Sequence, residues 1–336
     1  MLGVLSNYSI NETGNGNMIG AIDIGGTKIA AGIVAPGGAI LAHSETPTRE
    51  AGSFEAAADR MADMIRTATA QTGAGLTGIG IGCTGPVDPI SGEIGHVEFL
   101  LDWEGKNLVK ALEQRMNVPV VLENDADAAA LGEWTWGAGQ NLDPFLLVTV
   151  GTGIGVGIIA GGRLYRGVNG VHPEPGHQVL NPAEPLCYCG LPGCWESLSS
   201  GPALETWYQA NAPEHQRVSG RRICELARAG DTLATAAVHR SAHYMGLGIV
   251  NLINSFAPAG IALGGGLMQS YDLFLGDIEQ CVRTYCSQVP VDHLQIVPVR
   301  LGARSGLIGA ARAWTHRFGT DVRPGTDVRP GTDARL

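Results

Sequence analysis

Four groups of residues in this sequence have the types and spacing to do chemistry. The most specific is His177 followed by Cys187, Cys189 and Cys194, the three cysteines falling in the run Cys-Tyr-Cys-Gly-Leu-Pro-Gly-Cys. One imidazole and three thiolates make a tetrahedral set that zinc favours, and four protein ligands close the ion to water, which makes the metal structural. Gly190 and Gly193 allow the tight turn that returns Cys194 to the other two cysteines. The alternative is a chance cluster of buried thiols. The remaining cysteines (Cys83, Cys224, Cys281 and Cys286) are scattered and read as core or neutral surface.

The second group is Asp23-Ile24-Gly25-Gly26-Thr27-Lys28. Glycines let backbone N–H groups reach phosphate oxygens, Thr27 adds a hydroxyl donor, and an aspartate at a strand end can hold Mg²⁺ through water. Lys28 is one of only three lysines in the chain. A partner motif, Gly151-Thr152-Gly153, repeats the plan, and together the two suggest a phosphate clamp; each alone is also an ordinary glycine turn. Gly264-Gly265-Gly266 either lets a nucleotide base or ribose lie flat on the backbone or is simply a turn.

The third group is Glu123-Asn124-Asp125-Ala126-Asp127, at the junction of an apolar stretch and an alanine-rich one. One carboxylate can accept a hydroxyl proton while Asn124 hydrogen-bonds the same substrate. The competing role for the acids is to cap a helix. Fourth, Glu174 and Glu196 sit close in sequence to the metal ligands, which would hold them ready to accept hydrogen bonds from substrate hydroxyls; otherwise they are solvated loop acids. Trp103, Trp134, Trp136 and Trp195 read as core or subunit packing.

These residues need a frame. Met18–Ile24 and Ile29–Val34 read as strands joined by the Gly-Gly-Thr turn, and residues 145–160 repeat that hairpin, so an internal duplication giving two facing lobes is expected. Apolar residues at 54, 57, 58, 61, 64, 65 and 68 predict a helix with Ser53 as its N-cap. Strands are predicted at Thr77–Cys83, Val118–Leu122, Gly260–Met268 and Leu294–Val299, and helices at Ala126–Trp136, Asp231–Phe256 and Arg304–Phe318. Ligands bind off the carboxyl ends of strands in an open α/β sheet, and that is where the polar motifs fall.

Composition narrows the partners. A net charge of -10 without a basic block argues against nucleic acid or an anionic membrane, so any bound polyanion is held locally. No run approaches the ~20 apolar residues of a membrane span. Residues 1–17 lack signal-peptide features and read as a disordered extension, and the repeated tail over 319–336 is low in complexity. Cytoplasm is the expected location, where three crowded cysteines bind metal more readily than they form disulfides.

With those motifs in view, the sequence over about 18–318 resembles the ROK family of bacterial sugar kinases and repressors. The likeness rests on Asp23 to Lys28, Glu123 to Ala126, Gly151 to Gly153, and the spacing of His177, Cys187, Cys189 and Cys194. It implies a two-lobe, actin-like (ribonuclease H-like) α/β fold that uses ATP, Mg²⁺ and a structural zinc. Asp125 is then the base toward a sugar 6-hydroxyl; Asn124, Glu174, His177 and Glu196 contact the sugar; and the turns at 25–28 and 151–153 bind ATP phosphates. The expected lobes are 18–122, with 303–318 packing back on it, and 123–302, in a protein that is by default a homodimer. Glucose is the favoured hexose, ahead of N-acetylmannosamine, mannose and fructose. Two departures stand out: Pro175 replaces an aliphatic residue, preceded by His172-Pro173, which stiffens the substrate loop. The 17 residues before Met18 leave no room for the winged helix of the family's repressors, so no DNA binding is expected.

Overall fold

The computed structural model describes residues 18–73, 75–97, 100–212 and 217–319; the expected extension over 1–17 and the tail from 320 lie outside these. Strands β1 (Met18–Ile24) and β2 (Lys28–Val34) form the first hairpin, to which β3 (Ile40–Pro47) adds on the outer side. The chain then crosses through α1 (Phe54–Thr72) to β4 (Leu76–Cys83), parallel to β1. A short ribbon of β5 (Val87–Asp88) and β6 (Glu93–Ile94) and helix α2 (Leu108–Met116) lead to β7 (Val120–Asn124), which runs straight into α3 (Asp125–Trp136). The sheet order is β3-β2-β1-β4-β7.

The second half repeats this. Hairpin β8 (Phe145–Val150) and β9 (Ile154–Ala160) gains an outer strand, β10 (Arg163–Leu164). Four helices, α4 (Trp195–Ser199), α5 (Gly201–Asn211), α6 (Gly220–Arg228) and α7 (Thr232–Phe256), cross to β11 (Gly260–Gly264). Helix α8 (Tyr271–Tyr285) leads to β12 (Gln295–Pro298), and α9 (Ser305–Phe318) follows it as α3 follows β7. The order β10-β9-β8-β11-β12 has the same plan as the first sheet: hairpin, outer antiparallel strand, two parallel strands. Sheet topology therefore carries the duplication expected from the two glycine hairpins.

The two closing helices, α3 and α9, pack on each other between the sheets. One buried cluster joins Ala21, Val34 and Val121 of the first sheet, Phe145, Leu147 and Ile159 of the second, and Ala130 and Ala310 of the helices. Small side chains dominate α3, as they must where one helix touches two sheets and another helix. Helix α1 covers the outer face of the first sheet with the predicted stripe, and Ser53 accepts its Ala56 N–H at 3.4 Å. Trp103, Trp134 and Trp195 are core residues, and Cys83, Cys224, Cys281 and Cys286 are all buried. The boundary expected at 122/123 falls inside β7, which belongs wholly to the first sheet.

One strand is shorter than expected. The run from Gly260 stops at Gly264 rather than Met268, because Gly265 turns into the left-handed region at φ 89° and Leu267–Ser270 form a helical turn. Among the described residues no helix is long and apolar enough to cross a membrane.

Candidate functional site

The junction of β7 and α3 is built around Asn124. Its Oδ1 accepts the N–H groups of Ala126 at 2.8 Å and Asp127 at 3.3 Å, so the helix cap is this amide and not one of the neighbouring acids. That leaves the carboxylates for other work. Asp125 is half-buried in the first turn of α3, its Oδ1 accepting the Ala126 N–H at 2.8 Å. Burial raises its pKa and the Asp127 charge adds to this, against the opposing Ala126 N–H and His172.

Behind Asp125 lies a buried charge network. Asp127 Oδ2 meets Arg166 Nη1 at 2.5 Å and His172 Nδ1 at 2.9 Å, and Arg166 also donates to Glu123. Burial opposes the His172 charge, but Asp127, Glu174 and Asp125 together hold its pKa above the usual imidazole value. Burial pushes Glu123 up to about 7 despite Arg166. Neither Arg166 nor the role of His172 was legible as a motif: each is a single residue in a glycine-rich loop, and only the fold brings them to Asp127.

Asp23 closes β1. Its carboxylate lies at the first turn of α9, where a Cβ on Gly306 would collide with it, and a Cβ on Gly82 would lie 3.7 Å from the Asp125 Cα and 3.9 Å from Asp23 Oδ1. The two acids are thus brought together across one glycine. Burial first, then the Asp125 and Glu45 charges, raise Asp23 to about 7 against the pull of Lys28. Two crowded carboxylates held above their normal range are a donor set that a divalent cation would relieve, so these residues fit the expected Mg²⁺. In the adjacent turn Gly26 and Thr27 are exposed, and the Gly25 carbonyl is fixed by Thr48 Oγ1 at 2.7 Å. Lys28 pairs with Glu45 at 2.5 Å on the sheet surface.

The second hairpin turn is joined to the other motifs. Gly265 packs its backbone on Val150, the last residue of β8, which sets the turn at Gly264–Gly266 directly against Gly151–Gly153. Glu196, in the first turn of α4 and buried, accepts the Ile154 N–H at 2.8 Å and fills the space that a Cβ on Gly153 would need. The Glu174–His177 turn lies on the same strand, since Gly176 packs against the Ile154 backbone. Glu174 has a raised pKa through its confinement among protein atoms and the charges of Asp125 and Glu196, opposed by His172 and His177.

The ligand atoms of His177, Cys187, Cys189 and Cys194 all lie within 4.8 Å of one another. Cys187 Sγ is 3.8 Å from His177 Nδ1, and Cys189 Sγ is 3.5 Å from Cys194 Sγ. A tetrahedron with bonds of about 2.3 Å has edges of roughly 3.7 Å, so this cluster fits zinc with His177 binding through Nδ1. The other imidazole nitrogen, Nε2, faces Tyr188 Oη at 3.2 Å. Burial pushes the Cys194 thiol up to about 12, and a cation is what would hold it as thiolate.

The structure thus gathers the predicted residues into two adjoining groups. One holds Asp23, Asn124 and Asp125 with Glu174 and His172; the other holds Gly151–Gly153, Gly264–Gly266, Glu196 and the metal cluster. A family model described as the ROK family matches residues 19–317. Glucokinase of Streptomyces coelicolor is 36% identical over 308 residues, covering 86% of this chain and 95% of that protein. N-acetylmannosamine kinase of Shigella boydii is 32% identical over 295 residues, covering 87% and 96%. In three dimensions a ROK family glucokinase from Streptomyces griseus, solved with glucose and AMPPNP, superposes with a TM-score of 0.77 at 36% identity, covering 88% of this chain and 98% of that one. With its duplicated sheets and this site between them, the chain belongs to the ROK family and has its two-lobe, actin-like kinase fold.

Proposed function

We propose that this chain is an ATP-dependent hexose kinase that transfers the γ-phosphoryl group to the 6-hydroxyl of glucose. The observation that carries this is the position of Asp125: at a strand end, half-buried, and set between Asp23 of the first glycine hairpin and the Glu174–His177 turn on the second. Asp125 takes the proton of the attacking hydroxyl as the O–P bond forms and the bond to the ADP oxygen breaks. Glu174, His177 and Glu196, with the Asn124 amide, orient the ring. Backbone N–H groups of the turns at 25–28 and 151–153 hold the nucleotide phosphates, with the ribose or base against Gly264–Gly266. Bound at Asp23, Mg²⁺ would supply charge neutralisation for the phosphates. Phosphoryl transfer has a loose transition state, so placement by these residues outweighs base strength, and Asp125 orients as much as it deprotonates.

Similarity to glucokinases of 36% identity supports glucose, and the N-acetylmannosamine kinase at 32% supports the alternative acceptor. We further propose a cytoplasmic homodimer with structural zinc; seven unpaired cysteines suit a reducing compartment. ADP release measured across glucose, N-acetylmannosamine, mannose and fructose tests the assignment. Glucose should give the highest kcat/KM, and ADP release with none of the four would overturn it.

A further inference from the structure

Tyr188 stands in the chain between two metal ligands, Cys187 and Cys189, and its side chain is 74% exposed. Its hydroxyl nevertheless turns inward. It lies 3.2 Å from His177 Nε2, with the phenol ring edge-on to the imidazole at 5.3 Å between centroids. The phenol oxygen thus takes up the free imidazole nitrogen of a residue proposed above to bind the sugar.

Resting on that proposed site, we infer that the Tyr188 hydroxyl occupies the place of a hexose hydroxyl, so that sugar and Tyr188 exclude each other. A phenol and a sugar hydroxyl are equivalent here. Each can accept one hydrogen bond from the imidazole nitrogen that faces away from the metal. The backbone on either side is fixed by the ligand cysteines and by the Gly190 N–H to Cys187 carbonyl bond at 3.0 Å. Displacement therefore needs only rotation of an exposed side chain into water, with no movement of the loop. Its cost is the hydrogen bonding of one hydroxyl, and that sets a ceiling on hexose affinity. Tyr188 is on this view a residue that tunes how much sugar the enzyme needs, and it neither reacts nor binds metal.

Removing the hydroxyl should tighten sugar binding by the worth of about one hydrogen bond, roughly three- to tenfold. The measurement is calorimetric titration of the full-length, zinc-loaded protein with glucose, for the parent, Tyr188→Phe, Tyr188→Ala and Glu196→Gln, with metal content determined for each. We expect both Tyr188 variants to retain zinc and bind glucose more tightly, and KM to fall in step while kcat holds. Unchanged or weaker glucose binding in Tyr188→Phe with zinc retained overturns the inference and makes the hydroxyl a neutral neighbour or a sugar ligand. Loss of zinc in that variant overturns it differently, making Tyr188 a support for the His177 ring. Glu196→Gln should weaken glucose binding at least tenfold. If it does not, the sugar site itself is misplaced and the inference falls with it; if it does while Tyr188→Phe changes nothing, only the inference fails.

Discussion

Glu196 Oε2 accepts the backbone N–H of Ile154 at 2.8 Å, and this one bond joins the helix that begins beside the metal ligand Cys194 to the glycine turn that opens β9. In the sequence the two motifs stand more than 40 residues apart, and the bond couples them directly. Cys187→Ser should lose zinc and weaken hexose binding by roughly tenfold or more, because the metal fixes His177 and the start of α4. It should also weaken a non-hydrolysable ATP analogue, by a smaller factor, through Glu196 and the Gly151–Gly153 turn. Zinc analysis with separate titrations of sugar and nucleotide checks both parts, and normal hexose binding by a zinc-free variant would reduce the cluster to a remote staple.

Asp125→Asn isolates the proton. Asparagine keeps an oxygen for the Ala126 N–H and the shape of the helix start, so hexose affinity should stay within a few-fold while kcat drops by about 10² to 10⁴. Since burial raises the Asp125 pKa, kcat/KM of the parent should fall as pH drops through that raised value, and the acid limb should vanish in the variant. Retention of more than about a tenth of kcat, against that expected loss, would move the base assignment to Asp127 or Glu123.

Much of this frame was legible because its signals are local. Hairpins announce themselves by apolar runs around Gly-Gly-Thr and Gly-Thr-Gly, and the metal cluster is nearly contiguous. What was not legible depends on distance in the chain. Strand β3 alternates exposed and half-buried residues at a sheet edge, so it has no apolar signature. Arg166 reaches Glu123 and Asp127 across about 40 residues, and an isolated arginine in a loop carries no periodicity to mark it. The capping role within Glu123–Asp127 went to Asn124, a choice decided by side-chain geometry that residue types alone leave open.

Mg²⁺-nucleotide binding should release protons near neutrality. Asp23 titrates at about 7 when buried beside Asp125, so a large share is protonated at pH 7; a cation arriving there lowers its pKa and expels the proton. Calorimetry with Mg²⁺ and the ATP analogue in buffers of different ionisation enthalpy reads this directly. Release should shrink above pH 8, where Asp23 is already ionised, and disappear in Asp23→Asn. Proton uptake, or no buffer dependence at pH 7, would show that Asp23 is not where the cation binds.

The position of both acids depends on a residue far from them. Glu133 is fully buried near the end of α3 and accepts four hydrogen bonds: Ala138 N at 2.8 Å, Arg300 N at 3.0 Å, Leu301 N at 2.8 Å and Ser305 Oγ at 2.6 Å. It therefore fastens α3, whose first turn carries Asp125, to the loop that starts α9, whose first turn meets Asp23. Glu133→Ala would leave three N–H groups without their acceptor, the Ser305 hydroxyl keeping the Gly302 carbonyl at 2.8 Å, at about 1–3 kcal/mol for each group left unsatisfied. Partial relaxation brings the expected total to about 3–5 kcal/mol, by analogy with breaking a buried charged contact. Glu133→Gln should cost less, because one oxygen still accepts while its NH₂ faces donors. Urea denaturation of the three proteins measures this ranking, and kcat of the Gln variant, assayed where it remains folded, should fall as the α3–α9 pair loosens. A loss below about 1 kcal/mol in Glu133→Ala, no more than a single ordinary hydrogen bond, would mean that helix packing alone holds the two acids together.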